Sequence, residues 1–188
     1  RQALDEIVLP TIREMARRGT PYQGVLYACL MIENGRARLV EYNARFGDPE
    51  TQVLMMRLGA QALDQMLACA EGRLKDAQVN WADDHALTVV MAAKGYPGAY
   101  AKGSEIRGLD RLPEDSRHMA FHAGTAEKDG TIVANGGRVL NITARGDTLA
   151  DARHVAPRVL QHALLRRRGI EREHERLLLV DRASAVVR

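Results

Sequence analysis

The feature that most constrains the fold of this chain is an Asn-Gly pair between two strand-like segments. Residues 22–32 form an apolar run with β character, Asn34-Gly35 follows, and residues 36–43 form the second strand-like segment. Asn-Gly between two such segments is a strong signal for a β-hairpin with a type I′ turn, because both turn residues need a positive φ. The sequence therefore predicts an antiparallel hairpin, and a regular two-residue turn would place Glu41 opposite Ala28.

The second strand of this hairpin ends in side chains that suit a metal–nucleotide site. Successive strand residues point to opposite faces, so Glu41 and Asn43 should share one face. A carboxylate and an amide oxygen are hard ligands of the kind that Mg²⁺ takes beside nucleotide phosphates. Arg45 would continue that face and could bind an anion bidentately, or it could pair with Glu33 or Asp48. The alternative is a surface strand with polar residues on its solvent-exposed face.

A helix is predicted directly after this strand. Asp48 is a typical N-cap and Pro49 a typical first helical residue, and the amphipathic pattern runs to about Ala70, before Gly72. A helix N-terminus offers free N–H groups and the positive end of the helix dipole to an anion. Asp48 is therefore a candidate both for capping and for substrate contact. Glu50 lies in the first turn, where a carboxylate suits the helix dipole, and it could also have a functional role.

Other segments give coarser predictions. Residues 3–17 have helical spacing interrupted by Pro10, which predicts a kink or a short first turn. The polar stretch 71–84 is typical of a linker. Beyond it, strand-like segments occupy residues 87–93, the region of Phe121 and residues 138–143, Gly136-Gly137 makes a turn, and a helical pattern covers 148–165.

Composition excludes several classes of partner. The net charge of +3 is mild, and one Trp with two Phe gives no basic stripe interleaved with aromatics, so nucleic-acid binding is not expected. The sequence has no apolar run of membrane-spanning length, so no membrane partner is expected. Cys29 and Cys69 lie in apolar runs without metal-ligand spacing, which predicts buried, reduced thiols in a cytoplasmic protein.

The run NARFGDPETQ, residues 43–52, resembles the signature of the glycinamide ribonucleotide synthetase (phosphoribosylamine–glycine ligase) family, which has an ATP-grasp fold. The segments YQGVLYACLMI, MAAKGYPGAY, FHAGT and NGGRVLNITA agree with the same family in the same order. The resemblance extends over roughly residues 1–153. It implies an α+β fold: the C-terminal half of an ATP-grasp domain, built of antiparallel strands with packed helices, followed by a small α+β C-terminal domain.

The resemblance also implies a domain organisation. Residues 1–76 would form the C-terminal part of the ATP-grasp domain, 77–84 a linker, 85–165 the C-terminal synthetase domain and 166–188 a divergent tail. The tail lacks the family's usual R-x-D-I-G-x-R-A ending, and its Arg166–Arg168 run is typical of a solvated face. The chain begins without Met, so it is interpreted as a fragment, with the family's N-terminal substrate domain and ATP-grasp lid expected before it.

The reaction that the resemblance implies is the ATP-dependent ligation of glycine to 5-phosphoribosylamine in purine biosynthesis. Glycyl phosphate would be the intermediate, and glycinamide ribonucleotide, ADP and phosphate the products. Glu41 and Asn43 are the candidate ligands of Mg²⁺ or Mn²⁺, and together with Arg45 they would bind the co-substrate ATP. Arg45 and Asp48 are the candidate catalytic residues. The full-length enzyme is expected to be a cytoplasmic monomer.

Two alternatives stay open. Other ATP-grasp carboxylate–amine ligases and carboxylases share an E-x-N-x-R strand, although they usually lack the GDPE turn. The chain could also be a non-catalytic fragment that associates with a separate N-terminal half. His122 is interpreted as a structural histidine. Gly136, Gly137 and Arg138 are interpreted as a hairpin turn with a surface charge, or, as the resemblance hints, as a turn that faces the active site.

Overall fold

The computed structural model describes residues 1–112 and 115–153 of the 188-residue chain, together with the backbone of residues 170–172. These residues divide into two compact units. The first unit contains Arg1–Asp48 and Leu58–Asn80, and the second contains Pro49–Arg57 and the described residues from Trp81 onward. None of the described helices has both the length and the apolar character that a membrane crossing requires. The domain bounds given above stay predictions.

The first unit opens with a helix whose geometry changes near Pro10. A π-helical turn, Leu4–Val8, runs directly into helix α1, Leu9–Arg17. The N–H of Leu9 donates to the carbonyl of Leu4 at the end of the π turn. Pro10, which has no N–H, lies in the first turn of α1, where an amide donor is least needed. The sequence predicts a kink or a short first turn here, and the structure has a π-to-α transition.

The predicted hairpin is confirmed. Strand β1, Tyr27–Glu33, pairs in antiparallel orientation with strand β2, Arg36–Asn43. The turn residues Asn34 and Gly35 have φ angles of 50° and 74°. Positive φ at both central positions is what a type I′ turn requires, and Asn and Gly are the residues that tolerate it best.

The pairing register of the hairpin changes at a β-bulge. From the turn the strands pair regularly as far as Leu30, but the next residue, Cys29, is opposite Glu41, because Val40 is an extra residue in β2. The prediction that Glu41 lies opposite Ala28 is therefore wrong by one position. A bulge bends its strand and increases the local twist, so it re-aims the side chains that follow.

The long helix expected after the hairpin is two helices. Helix α2 is Glu50–Leu58 and helix α3 is Gln61–Ala70. Gly59, with a φ of 58°, separates them, because a left-handed residue cannot continue an α-helix. Helix α2 begins one residue later than predicted. Pro49 therefore directly precedes its first helical residue, where the N-cap was expected, and Asp48 lies one position further from the helix. The predicted stop at Gly72, with a φ of 69°, agrees with the end of α3.

The polar stretch after α3 is fixed to that helix over part of its length. The Gln61 side chain forms two hydrogen bonds with the Asn80 backbone: Nε2 donates to O at 2.6 Å, and Oε1 accepts from N at 2.9 Å. Gln65 Nε2 donates to the carbonyl of Gln78 at 2.9 Å. Gln61 and Gln65 are one helical turn apart, so both amides face the same side of α3. The first part of the predicted linker therefore belongs to the first unit.

The second unit contains an antiparallel sheet of four strands in the order β4, β7, β3, β8. Its strands are β3, His85–Ala93; β4, His118–His122; β7, Arg138–Gly146; and β8, Ile170–Arg172. The strands predicted at residues 87–93, around Phe121 and at 138–143 are confirmed. Strand β8 lies inside the segment predicted as a divergent tail, and the other residues of that tail lie outside the described residues.

A second hairpin was not predicted. Strands β5, Thr125–Lys128, and β6, Thr131–Ala134, pair through a turn at Asp129 and Gly130, with φ angles of 50° and 73°. Asp-Gly is the same class of turn signal as Asn-Gly. The turn signal is present in the sequence. The flanking strands have only four residues each, which is too few to show the alternation of apolar and polar residues by which a strand is recognised.

The core of the second unit lies on the β3–β7 pair. Met91, Leu140 and Ile142 are buried there with residues of the intervening loops. Thr88 Oγ1 and Thr143 Oγ1 lie 2.8 Å apart and are fully buried, so each hydroxyl gains a partner inside the core. A helix begins at residue 149 and is described as far as 153, and the rest of the predicted helix 148–165 lies outside the described residues.

Both cysteines are free thiols, as predicted. The prediction that they are buried is wrong in degree, because Cys29 and Cys69 are both half-buried.

Candidate metal–nucleotide site

The two predicted metal ligands contact each other on one face of β2. Asn43 Nδ2 donates to Glu41 Oε1 at 3.1 Å. Glu41 is exposed and Asn43 is half-buried. A hydrogen bond between residues i and i+2 of a strand requires both side chains on the same face, so the alternation argument for this pair is confirmed. The pair therefore brings a carboxylate and an amide together at an accessible strand end.

The chemistry of this pair fits a hard divalent cation. The nitrogen and oxygen of an amide group exchange places by a half-turn of the side-chain amide, which would present Asn43 Oδ1 beside the Glu41 carboxylate. Among the described residues no cluster of three or more His, Cys, Asp or Glu side chains could hold a metal. Two protein oxygens leave most coordination positions to phosphate and water, which is the usual situation of Mg²⁺ at nucleotide sites.

Tyr42, the residue between the two candidate ligands, contacts the π-helical turn and the start of helix α1. Tyr42 Oη donates to the carbonyl of Ile7 at 3.0 Å and lies 2.9 Å from Thr11 Oγ1. Glu41 and Asn43 lie in the short end of β2 that follows the bulge at Val40. The Tyr42 contacts tie this strand end to the helical segment at the start of the chain. Tyr42 is not among the site residues predicted from the sequence. The signal that identifies it is the strand alternation that places it on the face opposite Glu41.

Arg45 lies beyond the strand that was expected to orient it. Strand β2 ends at Asn43, so the alternation of faces does not reach Arg45. Its side chain is exposed, and Nη1 donates to the carbonyl of Phe46 at 3.3 Å. Glu33, one of the partners considered for it, is 3.5 Å from Arg38 Nη2 instead. The Arg45 guanidinium is thus held by a single long hydrogen bond to backbone and can reorient towards an anion.

Asp48 and Glu50 lie on either side of the boundary between the two units. Asp48 is exposed and is the last residue of the first unit in this region, while Pro49 is buried and opens the second unit. Glu50 is half-buried and is the first residue of α2, where a carboxylate is favourable to the helix dipole.

Glycine loops of the second unit pack closely at one end of its sheet. Gly136 N–H donates to the carbonyl of Gly124 at 2.9 Å, and a Cβ on Gly124 would lie 2.7 Å from the Gly136 Cα. A Cβ on Gly137 would overlap the ring of Tyr96. Close packing therefore accounts for these glycines. Their orientation towards the active site stays a prediction.

His122 has a local partner, since its Nδ1 lies 2.8 Å from Thr125 Oγ1. The contact links the end of β4 to the start of β5, and it agrees with the structural interpretation of this histidine.

Two segments of the chain match known family domains. Residues 1–51 match the phosphoribosylglycinamide synthetase ATP-grasp (A) domain, and residues 86–170 match the phosphoribosylglycinamide synthetase C domain. The first match includes the hairpin with Glu41 and Asn43, together with Arg45 and Asp48.

Individual relatives agree with these matches. The chain is 53% identical over 151 residues to a phosphoribosylamine–glycine ligase of Brucella melitensis, covering 80% of this chain and 35% of that protein. It is 45% identical over 162 residues to the chloroplastic ligase of Arabidopsis thaliana, covering 84% of this chain and 30% of that protein. The crystal structure of the ligase from Thermotoga maritima is 36% identical, with a TM-score of 0.74 over 90% of this chain and 40% of that chain. The chain thus spans about a third of the length of the curated relatives it matches.

Proposed function

The chain belongs to the phosphoribosylglycinamide synthetase family, and we propose that it forms the C-terminal part of an enzyme that ligates glycine to 5-phosphoribosylamine with ATP. The observation that carries the proposal is the Glu41–Asn43 pair, which lies on one strand face inside the segment that matches the ATP-grasp domain. Cytoplasmic location and a monomeric state stay predictions.

The proposed reaction has two steps. Glycine's carboxylate attacks the γ-phosphorus of ATP, and ADP leaves with the electrons of the broken P–O bond. The amine of 5-phosphoribosylamine then attacks the carbonyl carbon of glycyl phosphate. Phosphate leaves and the nitrogen loses a proton, which gives glycinamide ribonucleotide. Phosphoryl transfer of this kind depends on positioning and charge neutralisation more than on covalent catalysis.

The described residues suit the first step. Glu41 and Asn43 would hold Mg²⁺ or Mn²⁺, which neutralises charge on the phosphate oxygens when it is bound. Arg45, exposed and held by one long bond to Phe46, would contact the transferred phosphoryl group or the glycine carboxylate. Asp48, an exposed carboxylate three residues further along, would accept a hydrogen bond from a substrate amine.

The proposal is tested with a hybrid synthetase. The N-terminal part of the Brucella melitensis ligase, as far as the start of its match, is joined to these 188 residues. We expect it to form glycinamide ribonucleotide from ATP, glycine and 5-phosphoribosylamine generated from ribose 5-phosphate and ammonia. A folded hybrid that consumes ATP only with another carboxylate or with bicarbonate would favour the alternative ATP-grasp activities and overturn the proposal.

The isolated chain is expected to show no measurable ligase turnover. The matched segments make up 35% and 30% of the Brucella melitensis and Arabidopsis thaliana relatives, so about twice as many of their residues lie outside the match as inside it. We place adenine recognition and the amine-substrate domain among the residues outside the match. The measurement is product formation by the purified 188-residue chain, with the hybrid assayed in parallel under the same conditions. Detectable formation of glycinamide ribonucleotide by the isolated chain would contradict this division of roles.

A further inference from the structure

We infer that Tyr42 is a positioning residue for the Glu41–Asn43 pair, an inference that rests on the proposed function. Its hydroxyl fixes the end of β2 against helix α1, and it thereby holds the two ligand side chains in the orientation that a cation needs. Three hydrogen-bonding distances, the bulge in β2 and the alternation of faces along this strand support this role.

The anchor consists of two hydroxyl groups and one carbonyl. Tyr42 Oη and Thr11 Oγ1 each lie 3.0 Å from the carbonyl oxygen of Ile7, and they lie 2.9 Å from each other. Each hydroxyl carries one hydrogen, so two of these three contacts are hydrogen bonds at any moment. All three residues are half-buried. Partial exclusion of water makes such bonds more persistent than exposed ones.

The anchor lies where β2 is least constrained by its partner strand. The bulge at Val40 interrupts the regular pairing, and only three residues of β2 follow it before the strand ends. Tyr42 is the middle one of these three. Its side chain points away from Glu41 and Asn43, so its contact with α1 resists rotation of this strand end about its own axis.

The inferred effect is on preorganisation. A strand end that rotates freely must be ordered when the cation binds, and that ordering reduces affinity. Loss of one such hydrogen bond corresponds to a change of about threefold to tenfold in an equilibrium constant. Tyr42→Phe removes the hydroxyl and keeps the ring, so it isolates the anchor from the packing of the aromatic side chain.

The test measures Mn²⁺ binding to the hybrid in the presence of ADP, from the electron paramagnetic resonance signal of free Mn²⁺. We expect Tyr42→Phe to raise the Mn²⁺ dissociation constant about threefold to tenfold, while the KM for glycine stays unchanged. Thr11→Ser keeps a hydroxyl and should keep wild-type affinity. Tyr22→Phe is the matched control, because the Tyr22 hydroxyl also donates to a backbone carbonyl of the first unit, that of Val25, at 2.6 Å.

A second readout needs neither metal nor activity. In the metal-free hybrid, hydrogen exchange at the backbone amides of residues 41–43 should be faster in Tyr42→Phe than in Tyr22→Phe. If Tyr42→Phe does not fold, Thr11→Val removes the other hydroxyl of the anchor and is measured in the same way. Equal Mn²⁺ affinity in the anchor variant and in Tyr22→Phe would overturn the inference, whatever the exchange rates, and so would equal exchange in the two variants.

The Glu41→Gln variant separates failure of this inference from failure of the proposed site. If Glu41→Gln weakens Mn²⁺ binding strongly and Tyr42→Phe does not, the site stands and the positioning role is overturned. If neither substitution changes Mn²⁺ binding in an active hybrid, the proposed site itself is wrong, and the inference is overturned with it.

Discussion

Replacing Glu41 by Gln in the hybrid synthetase should raise the half-saturating Mg²⁺ concentration by about tenfold or more, equivalent to about 1.4 kcal/mol or more of binding free energy. The carboxylate supplies the negative charge of the ligand pair, and an amide oxygen is a much weaker ligand for a hard dication. Asn43→Ala should act in the same direction, because it removes the second oxygen. The measurement is the Mg²⁺ dependence of the steady-state rate at saturating ATP.

The same change should leave the fold intact. Glu41 is exposed, and its carboxylate accepts a hydrogen bond from the Asn43 amide at 3.1 Å, a role that the amide oxygen of Gln can also fill. Surface substitutions of this kind change the free energy of unfolding by about 0.5 kcal/mol at most. Glu33→Gln makes the same chemical change at the other end of the hairpin and serves as the control. Unchanged Mg²⁺ dependence in both Glu41→Gln and Asn43→Ala would refute the ligand assignment.

Local signals were sufficient to predict the hairpin that carries the candidate site. Asn34 and Gly35 adopt the positive φ angles that their residue types favour, and the shared face of Glu41 and Asn43 follows from the period of a strand. These features depend on residues close together in sequence. A single sequence therefore contains the information that fixes them.

The register of the hairpin depends on contacts that the sequence does not display. The extra residue at Val40 shifts Glu41 from Ala28 to Cys29, and Tyr42 ties the strand end that follows to Ile7 of the π-helical turn and to Thr11 of α1. A bulge is set by how a strand packs against distant elements, and no local pattern in β2 marks it. Strand periodicity predicted which residues share a face, and it could not predict their cross-strand neighbours.

Gly59 is ambiguous in the sequence, because a glycine at this position can lie within one helix or separate two helices. Gly59 lies in a pattern that is amphipathic on both sides, and a glycine within a helix is tolerated at a cost of about 1 kcal/mol. Its φ of 58° ends α2 instead. The choice between the two depends on the tertiary packing of each helix, so sequence reasoning predicted one helix where the structure has two.

Arg45→Ala in the hybrid should lower kcat about a hundredfold, or about 3 kcal/mol, with a smaller effect on ATP affinity. If Arg45 neutralises charge as the acyl phosphate forms, its interaction is stronger in the transition state than in the ground state. Stability should hold, because the exposed guanidinium has one bond of 3.3 Å to the Phe46 carbonyl. Arg38→Ala, an exposed arginine of the same hairpin, is the control.

Asp48→Asn addresses the other candidate catalytic residue, because it removes the charge and keeps a side chain of nearly the same size and shape. If Asp48 has only a structural role in the turn before α2, the melting temperature and the activity should both stay near wild type. If it also binds a substrate amine, the rate should fall at an unchanged melting temperature, since the side chain is exposed. We expect the second result, measured by steady-state kinetics and thermal unfolding on the same preparation. A loss of stability proportionate to the loss of activity, in this variant and in Arg45→Ala, would assign both residues to the scaffold.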